Sequence, residues 1–139
     1  MHRFIVTLLL SVAAVFCASA QDMTTSEKRA ARKDMTVKEW NTDARSKTRW
    51  LDRVTTYDSL GRKIEETEYT RYGQKWRETY EYGENDKIVK EVLYDERDKP
   101  SLIRKYEYGQ DLRKVKQYNY SPNGKLQTTK VFEYILPSD

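Results

Sequence analysis

Residues 76–109 have the sequence WRETYEYGENDKIVKEVLYDERDKPSLIRKYEYG, and this stretch decides the fold. It contains three short runs that are rich in Tyr, Val and Ile, separated by polar breaks that contain Gly, Asp or Pro. Short runs of this composition, punctuated in this way, are typical of β-strands joined by tight turns. The stretch therefore predicts a β-hairpin followed by the first strand of another.

The same pattern recurs through most of the chain. All 11 Tyr of the 139-residue sequence lie between Tyr57 and Tyr134. One set recurs every 25 or 26 residues, and a second set falls about halfway between its members. The first set is Tyr57, Tyr82, Tyr108 and Tyr134, and the second is Tyr72, Tyr94 and Tyr120. A period that divides in two predicts one hairpin per repeat.

The alternation of side chains along these runs decides between sheet architectures. Neither predicted face is uniformly apolar, because a charged residue stands four positions before the Tyr that ends each run. A β-sandwich requires an apolar inner face, and a membrane barrel requires an apolar outer band. We therefore expect an all-β antiparallel up-and-down meander of hairpin repeats, with about seven or eight strands in a single twisted or partly curled sheet. The pattern leaves open whether the sheet closes into a barrel.

The segments before the repeats are less regular. Thr24 and Glu27 have the spacing of a capping box, and a basic run from Lys28 to Lys33 follows, so residues 21–34 predict a short exposed helix or a mobile arm. Strands near 35–40 and 46–57 would extend the sheet, although a helix between residues 35 and 50 is the alternative. The Tyr-rich repeat domain then spans residues 35–135, and residues 136–139 form a tail.

Residues 1–20 have the three parts of a secretory signal peptide. A short basic start precedes an apolar run from Phe4 to Phe16, and an A-x-A cleavage motif ends at Ala20. We therefore expect an exported protein, periplasmic or secreted, that begins at Gln21 and has no transmembrane segment once processed. Cys17 offers the alternative of an acylated outer-membrane lipoprotein, although the Phe before it stands where that signal requires a small residue.

Cleavage before Gln21 would restrict the chemistry of the mature chain. His2 and Cys17 are the only His and Cys in the sequence. Without them, zinc sites built on His or Cys and Ser-His or Cys-His catalysis are excluded. We therefore expect a non-enzymatic protein with no cofactor and no metal site. Paired carboxylates leave a hydrolase as the lesser alternative, and the clustered candidates are Glu65, Glu66, Glu68, Glu78 and Glu81.

The distribution of charge argues against a nucleic-acid partner. The formal net charge of the sequence is +4, yet residues 51–139 contain 17 basic and 17 acidic residues. The excess in the mature chain comes from residues 21–50, which contain eight basic and five acidic residues. A neutral body provides no phosphate-binding stripe. The basic run from Lys28 to Lys33 either contacts an anionic partner or remains solvated.

Two turns resemble known repeat motifs. Residues 57–62, with the sequence YDSLGR, resemble the YD repeat, whose core is Y-D-x-x-G-R. Residues 121–126, with the sequence SPNGKL, resemble the related motif of MORN-type antitoxin-like repeats, in which N-G-K precedes the next strand. The chain is thus similar to small exported YD-repeat-like or MORN-like β-hairpin repeat proteins of Bacteroidetes-type bacteria. This resemblance implies a β-rich scaffold and no catalytic residue.

The aromatic residues form the first candidate binding surface. Tyr and Trp combine a large rigid face with a polar edge, which suits stacking on sugar rings or on a partner's side chains. The alternative is that the rings only pack across strands. The candidate platform consists of Trp76, Tyr80, Tyr82, Tyr106, Tyr108, Tyr118 and Tyr120.

The last predicted strand is the second candidate, because an open meander ends in a strand with unpaired backbone groups. The residues of this candidate edge are Thr128, Thr129, Lys130, Val131 and Phe132. We expect a partner strand or a homodimer at this edge, or closure of the first strand on the last. The sequence therefore favours a binding or assembly module that acts on an envelope protein, and a glycan-binding module is the alternative.

Overall fold

The structure is a computed structural model that describes residues 23–137. The expected signal peptide, Cys17 and the cleavage site before Gln21 lie outside the described residues. One helix is followed by eight strands: α1 (Thr25–Ala30), β1 (Thr36–Thr42), β2 (Arg49–Tyr57), β3 (Lys63–Thr70), β4 (Gly73–Tyr82), β5 (Ile88–Tyr94), β6 (Pro100–Tyr108), β7 (Lys114–Tyr120) and β8 (Leu126–Val131).

The eight strands form one antiparallel sheet in which each strand pairs with its neighbours in sequence. The expected all-β meander is confirmed. The sheet is open, with β1 at one edge and β8 at the other, so the expected alternative of closure does not occur. The alternative helix between residues 35 and 50 is wrong, because β1 pairs with β2 from Thr36 to Thr42.

Both faces of the sheet are largely open to solvent, so the fold has little core. Among residues 23–137, only Val92, Thr55, Thr67 and Gly61 are buried. The single layer depends instead on cross-strand side-chain pairs, each worth about 0.2–1 kcal/mol. Removing one cross-strand side-chain pair therefore removes a large share of the interactions that stabilise that part of the sheet.

Five of the seven hairpin turns have the same geometry. In each, the first residue donates its N–H to the carbonyl of the fifth, and the fourth donates back to the first. The fourth residue has a positive φ in every case, and these residues are Gly61, Asp86, Asp98, Leu112 and Gly124. A Lys or Arg follows each of them. The three turns that lack Gly at this position therefore match the two motif-like turns, with Asp86, Asp98 and Leu112 in the left-handed conformation.

In each of the seven hairpins an aromatic residue stands opposite a β-bulge, whose extra residue lies on the following strand. The pairing register shifts at Trp40, Tyr57, Tyr69, Tyr82, Tyr94, Tyr108 and Tyr120. Bulges increase the local twist of a strand, so this regular placement twists the whole sheet. Tyr69 takes the place in the repeat that the sequence analysis gave to Tyr72, because Tyr72 lies in the turn and is 98% exposed.

Three repeat tyrosines connect each strand end to its neighbour. Each donates its hydroxyl hydrogen to a backbone carbonyl at the first residue of the adjacent strand. The O···O distances are 2.7 Å from Tyr82 to Lys63, 2.7 Å from Tyr108 to Ile88 and 2.8 Å from Tyr134 to Lys114. The Tyr residues that recur about every 26 positions therefore have a structural role, because they link neighbouring strands by hydrogen bonds.

Helix α1 is docked on the sheet at the turn between β2 and β3. Its capping box is present, as the sequence predicts. Arg29 Nη1 lies 2.9 Å from Asp86 Oδ2, and Arg62 Nη1 lies 2.8 Å from Asp86 Oδ1. The Asp34 N–H donates to the Asp58 carbonyl at 3.0 Å. The expectation of a short exposed helix is confirmed.

Neutralising Asp86 should release α1 from the sheet. Hydrogen bonds from Arg29 and Arg62 lower the pKa of Asp86 from its ordinary value of 3.8. A lowered pKa in the folded state means that this contribution to docking is complete above about pH 4 and is lost as the pH falls below it. We expect Asp86→Asn, which tolerates a positive φ, to speed hydrogen exchange of the α1 amides at pH 7.

Asp111→Asn is the matched control, because Asp111 pairs only with Arg113 of its own turn. This variant should leave exchange in α1 unchanged. Equal protection of α1 in wild type and Asp86→Asn would show that docking does not depend on the shared carboxylate.

Candidate binding surfaces

The pleat of the strands gives the sheet two surfaces. Face A carries Tyr80 and the residues opposite it on the following strands, which are Glu91, Arg104 and Asn119. Face B carries the adjacent row, which includes Glu81, Lys90, Lys105 and Tyr118.

The expected aromatic platform is divided between these faces. Trp76, Tyr80 and Tyr82 alternate onto face A from β4, and Tyr106 and Tyr108 do so from β6. Tyr118 and Tyr120 of β7 lie on face B instead, because Tyr118 is opposite Lys105, the neighbour of Tyr106. A single platform of all seven residues is therefore wrong.

Two tyrosines of face A belong to an ionic network. Tyr80 donates its hydroxyl hydrogen to Glu78 Oε2 at 2.9 Å, and Tyr106 donates to Glu91 Oε2 at 2.6 Å. Burial and then the hydrogen-bonded carboxylate raise the pKa of both tyrosines above the ordinary value. These hydroxyls hold carboxylates in place and do not project toward a ligand.

Cations cover most of the aromatic rings. Among residues 23–137, ten rings have a Lys or Arg within 6 Å of the ring centroid: Trp40, Trp50, Tyr57, Tyr80, Tyr82, Tyr94, Tyr106, Tyr120, Phe132 and Tyr134. Such contacts are worth about 0.5–1 kcal/mol at exposed sites. Trp76 is the Trp of the described residues that is not among these rings.

A neutralised ionic cluster occupies the centre of face A. Arg104 Nη1 lies 3.2 Å from both Glu78 Oε1 and Glu91 Oε2. The side chains of Glu78 and Glu91 are only 16% and 14% exposed. Glu66 stands opposite Glu78 and pairs with Lys63. Three carboxylates are thus held close together by cations placed between and beside them.

The carboxylates proposed for hydrolysis are all engaged in ion pairs. Besides Glu66 and Glu78, the pairs and their N···O distances are Glu65–Arg77 at 3.1 Å, Glu68–Lys75 at 2.7 Å and Glu81–Lys90 at 2.7 Å. The hydrogen bond from Lys75 lowers the pKa of Glu68, whereas a general acid requires a raised pKa. The geometry favours salt bridges over acid–base chemistry.

Two adjoining hollows on face A meet at Arg104, and together we call them the face-A groove. One, of about 400 Å³, is lined by Ser101, Leu102, Arg104, Gln117, Asn119, Ser121, Gln127 and Thr128. The other, of about 270 Å³, is lined by Trp76, Glu78, Leu93 and Arg104. The amide residues Gln117 and Asn119 were not singled out in the sequence, although both stand on the same side of β7 at alternating positions.

Strand β8 is the edge that the sequence predicts, and all six of its residues are exposed. Phe132, just beyond the strand, donates its N–H to the Val115 carbonyl at 3.1 Å. Backbone groups in an antiparallel ladder alternate in direction, so those of Lys130 point toward β7. The N–H and C=O of Thr129 and Val131 therefore point away from the sheet.

Exposed apolar side chains concentrate beside this edge. They are Leu126, Val131, Tyr134, Ile135 and Leu136, with Ile135 92% exposed. The opposite edge differs, because β1 carries two adjacent charged residues, Lys38 and Glu39, and Arg49 covers the ring of Trp40 at 4.3 Å. Charged residues protect edges from association, and β8 has one where β1 has two, so β8 is the less protected edge.

Two further properties hold for the part of the chain that the structure describes. None of its helices has both the length and the apolar character needed to span a membrane. Residues 23–137 also bring together no group of three or more His, Cys, Asp or Glu side chains that would suit a metal ion.

Comparisons with known proteins identify no family. No protein-family model matches the chain, and no curated protein matches it. It is similar to two solved structures of TarM, one of them a mutant S. aureus TarM in complex with Fondaparinux, alpha-GlcNAc-glycerol and UDP. Each is 16% identical over 70% of this chain, with TM-scores of 0.31 and 0.32. The match spans 22% of each TarM chain, and a likeness at this level carries no functional argument.

Proposed function

We propose that this chain is a non-enzymatic, exported binding or assembly module of the cell envelope, which accepts a strand of a partner protein at the edge of β8. The observation that carries the proposal is the open edge itself. Thr129 and Val131 present unpaired backbone groups, and exposed apolar side chains stand beside them. Edges of this kind are templates for strand addition.

The usual protection of an edge strand is weak in β8. Lys130 is the only charged residue of the strand. Its backbone faces Gln117 of β7, and its side chain stands perpendicular to the sheet. One charged residue in six therefore protects this edge less than Lys38 and Glu39 protect the edge of β1.

Two other parts of the proposal have separate support. Export rests on the signal-peptide pattern of residues 1–20. The absence of enzymatic activity is supported by the ion pairing of the clustered carboxylates, and by the placement of His2 and Cys17 before the expected cleavage site.

Two proline variants test strand addition. Thr129→Pro removes an N–H that points away from β7, so we expect an unchanged melting temperature and loss of the partner. Lys130→Pro removes an N–H that points toward β7, so we expect β8 to detach and the melting temperature to fall.

The measurement uses the full-length chain produced in its native bacterium, with a photo-crosslinking residue at Gln127. We expect a crosslinked adduct of an envelope protein in wild type, and its loss in Thr129→Pro. A dimer in sedimentation equilibrium that Thr129→Pro dissociates would identify the partner strand as a second copy. A monomer without an adduct, with both variants identical to wild type, would contradict the proposal.

A further inference from the structure

We infer that the face-A groove is a binding site for a neutral glycan, which lies across strands β4 to β8. This inference concerns the central face of the sheet and does not depend on the β8 edge. Central strands pair on both sides, so only side chains are available for recognition there. The ligand class must therefore follow from the chemistry of those side chains.

The floor of the groove suits the C–H faces of sugar rings. Trp76, Leu93 and Leu102 form an apolar strip along one side. Aromatic rings with an open face stack on flat apolar surfaces, and Trp offers the largest such face. Leu93 and Leu102 stand opposite each other on β5 and β6, which continues the strip beyond Trp76.

The wall of the groove suits hydroxyl groups. Gln117 donates from Nε2 to Asn119 Oδ1 at 2.9 Å, and Asn119 donates from Nδ2 to Thr128 Oγ1 at 2.8 Å. Each side-chain amide has two N–H donors and an acceptor oxygen, so these two hydrogen bonds use only part of the hydrogen-bonding capacity of Gln117 and Asn119. Donors and acceptors thus alternate along the wall. Sugar hydroxyls, which both donate and accept, match such an arrangement.

The charges of the groove favour a neutral ligand. Its only charged lining residues are Arg104 and Glu78, which pair with each other at 3.2 Å. Arg104 also pairs with Glu91, so the guanidinium attracts no further anion strongly. The two hollows, of about 400 and 270 Å³, together reach the size range of about 300–1,000 Å³ that is typical of ligand sites.

The experiment titrates the protein with the neutral hexasaccharides of glucose (α-1,4 and β-1,4 linked), mannose and xylose, by calorimetry and Trp fluorescence. A hexagalacturonate is the acidic comparison. We expect at least one neutral oligosaccharide to bind with Kd below about 1 mM, and Trp76→Ala and Asn119→Ala each to weaken binding at least about tenfold. Tyr72→Ala, at a fully exposed ring outside the groove, should bind like wild type.

The melting temperature of each variant separates loss of binding from loss of folding. Gln117→Ala is a second variant of the groove wall, and it should also weaken binding. Failure of all four neutral oligosaccharides to bind would overturn the inference. Salt-sensitive binding of the acidic oligomer alone, or equal weakening by Tyr72→Ala, would overturn it too. Thr129→Pro should bind like wild type, so failure here is distinct from failure of the edge proposal.

Discussion

Replacing Gly61 with Ala will destabilise the protein more than the same change at Gly124. Both glycines have a positive φ, of 72° and 84°, and occupy the same position of the repeated turn. The left-handed conformation costs Ala about 1–2 kcal/mol at either site. A Cβ at Gly61 would lie only 2.0 Å from the Arg29 carbonyl, whereas a Cβ at Gly124 would have no atom within 4 Å.

The difference between the two variants isolates the docking of α1. We expect the free energy of unfolding in urea to fall by about 1–2 kcal/mol for Gly124→Ala, and clearly further for Gly61→Ala. The amides of α1 should also lose protection from hydrogen exchange in Gly61→Ala only, because the helix must move to make room. Equal losses of stability in both variants would show that α1 adds nothing to the stability of the sheet.

The strands were predictable because they use local signals. Alternating residues with frequent Tyr, Thr and Val predict strands, and Asp58 or Pro122 with a following Gly predicts a turn. The turns at Asp86 and Leu112 were harder to predict, because a residue other than Gly adopts the left-handed conformation only where its surroundings stabilise it. Asp86 accepts hydrogen bonds from Arg29 and Arg62, and these arrive from distant parts of the chain.

The assignment of aromatic residues to faces was not predictable by aligning the strands on their terminal Tyr. Successive turns lie at opposite ends of the sheet, so Tyr82 and Tyr94 end consecutive strands on opposite faces. Arg77, beside Trp76 on β4, covers the Tyr94 ring on face B at 3.7 Å. The same geometry separates Tyr108 from Tyr120. The sheet topology therefore places the aromatic residues of the predicted platform on two different faces.

For the same reason, the face-A groove could be predicted only in part from the sequence. Trp76 is conspicuous, since it is one of only three Trp in the chain. Gln117 and Asn119 are ordinary strand residues until the register places them beside Arg104 on the same face. Pairing across strands β4 to β8 creates this groove, and no local sequence pattern indicates it.

Replacing Arg104 with Met will produce the largest loss of stability among the ion pairs of face A. Arg104 is shared by Glu78 and Glu91, and Glu66 stands opposite Glu78. Without the guanidinium, carboxylates that are only 13–16% exposed are left close together with one cation fewer. Breaking a fully buried pair costs about 3–5 kcal/mol, so we expect about 2 kcal/mol here, where water screens part of the charge.

A second substitution identifies repulsion as the cause of that loss. Glu91→Gln removes one of the carboxylate charges that Arg104 offsets, so Arg104→Met should lose less stability in the Glu91→Gln background than in wild type. Arg97→Met is the control, because Arg97 is 76% exposed and lies 4.0 Å from Glu96, and it should change stability by less than about 0.5 kcal/mol in both backgrounds. If Arg104→Met lost as much stability in the Glu91→Gln background as in wild type, lost packing of the Arg104 side chain would explain the loss, and the cluster would not depend on charge neutralisation.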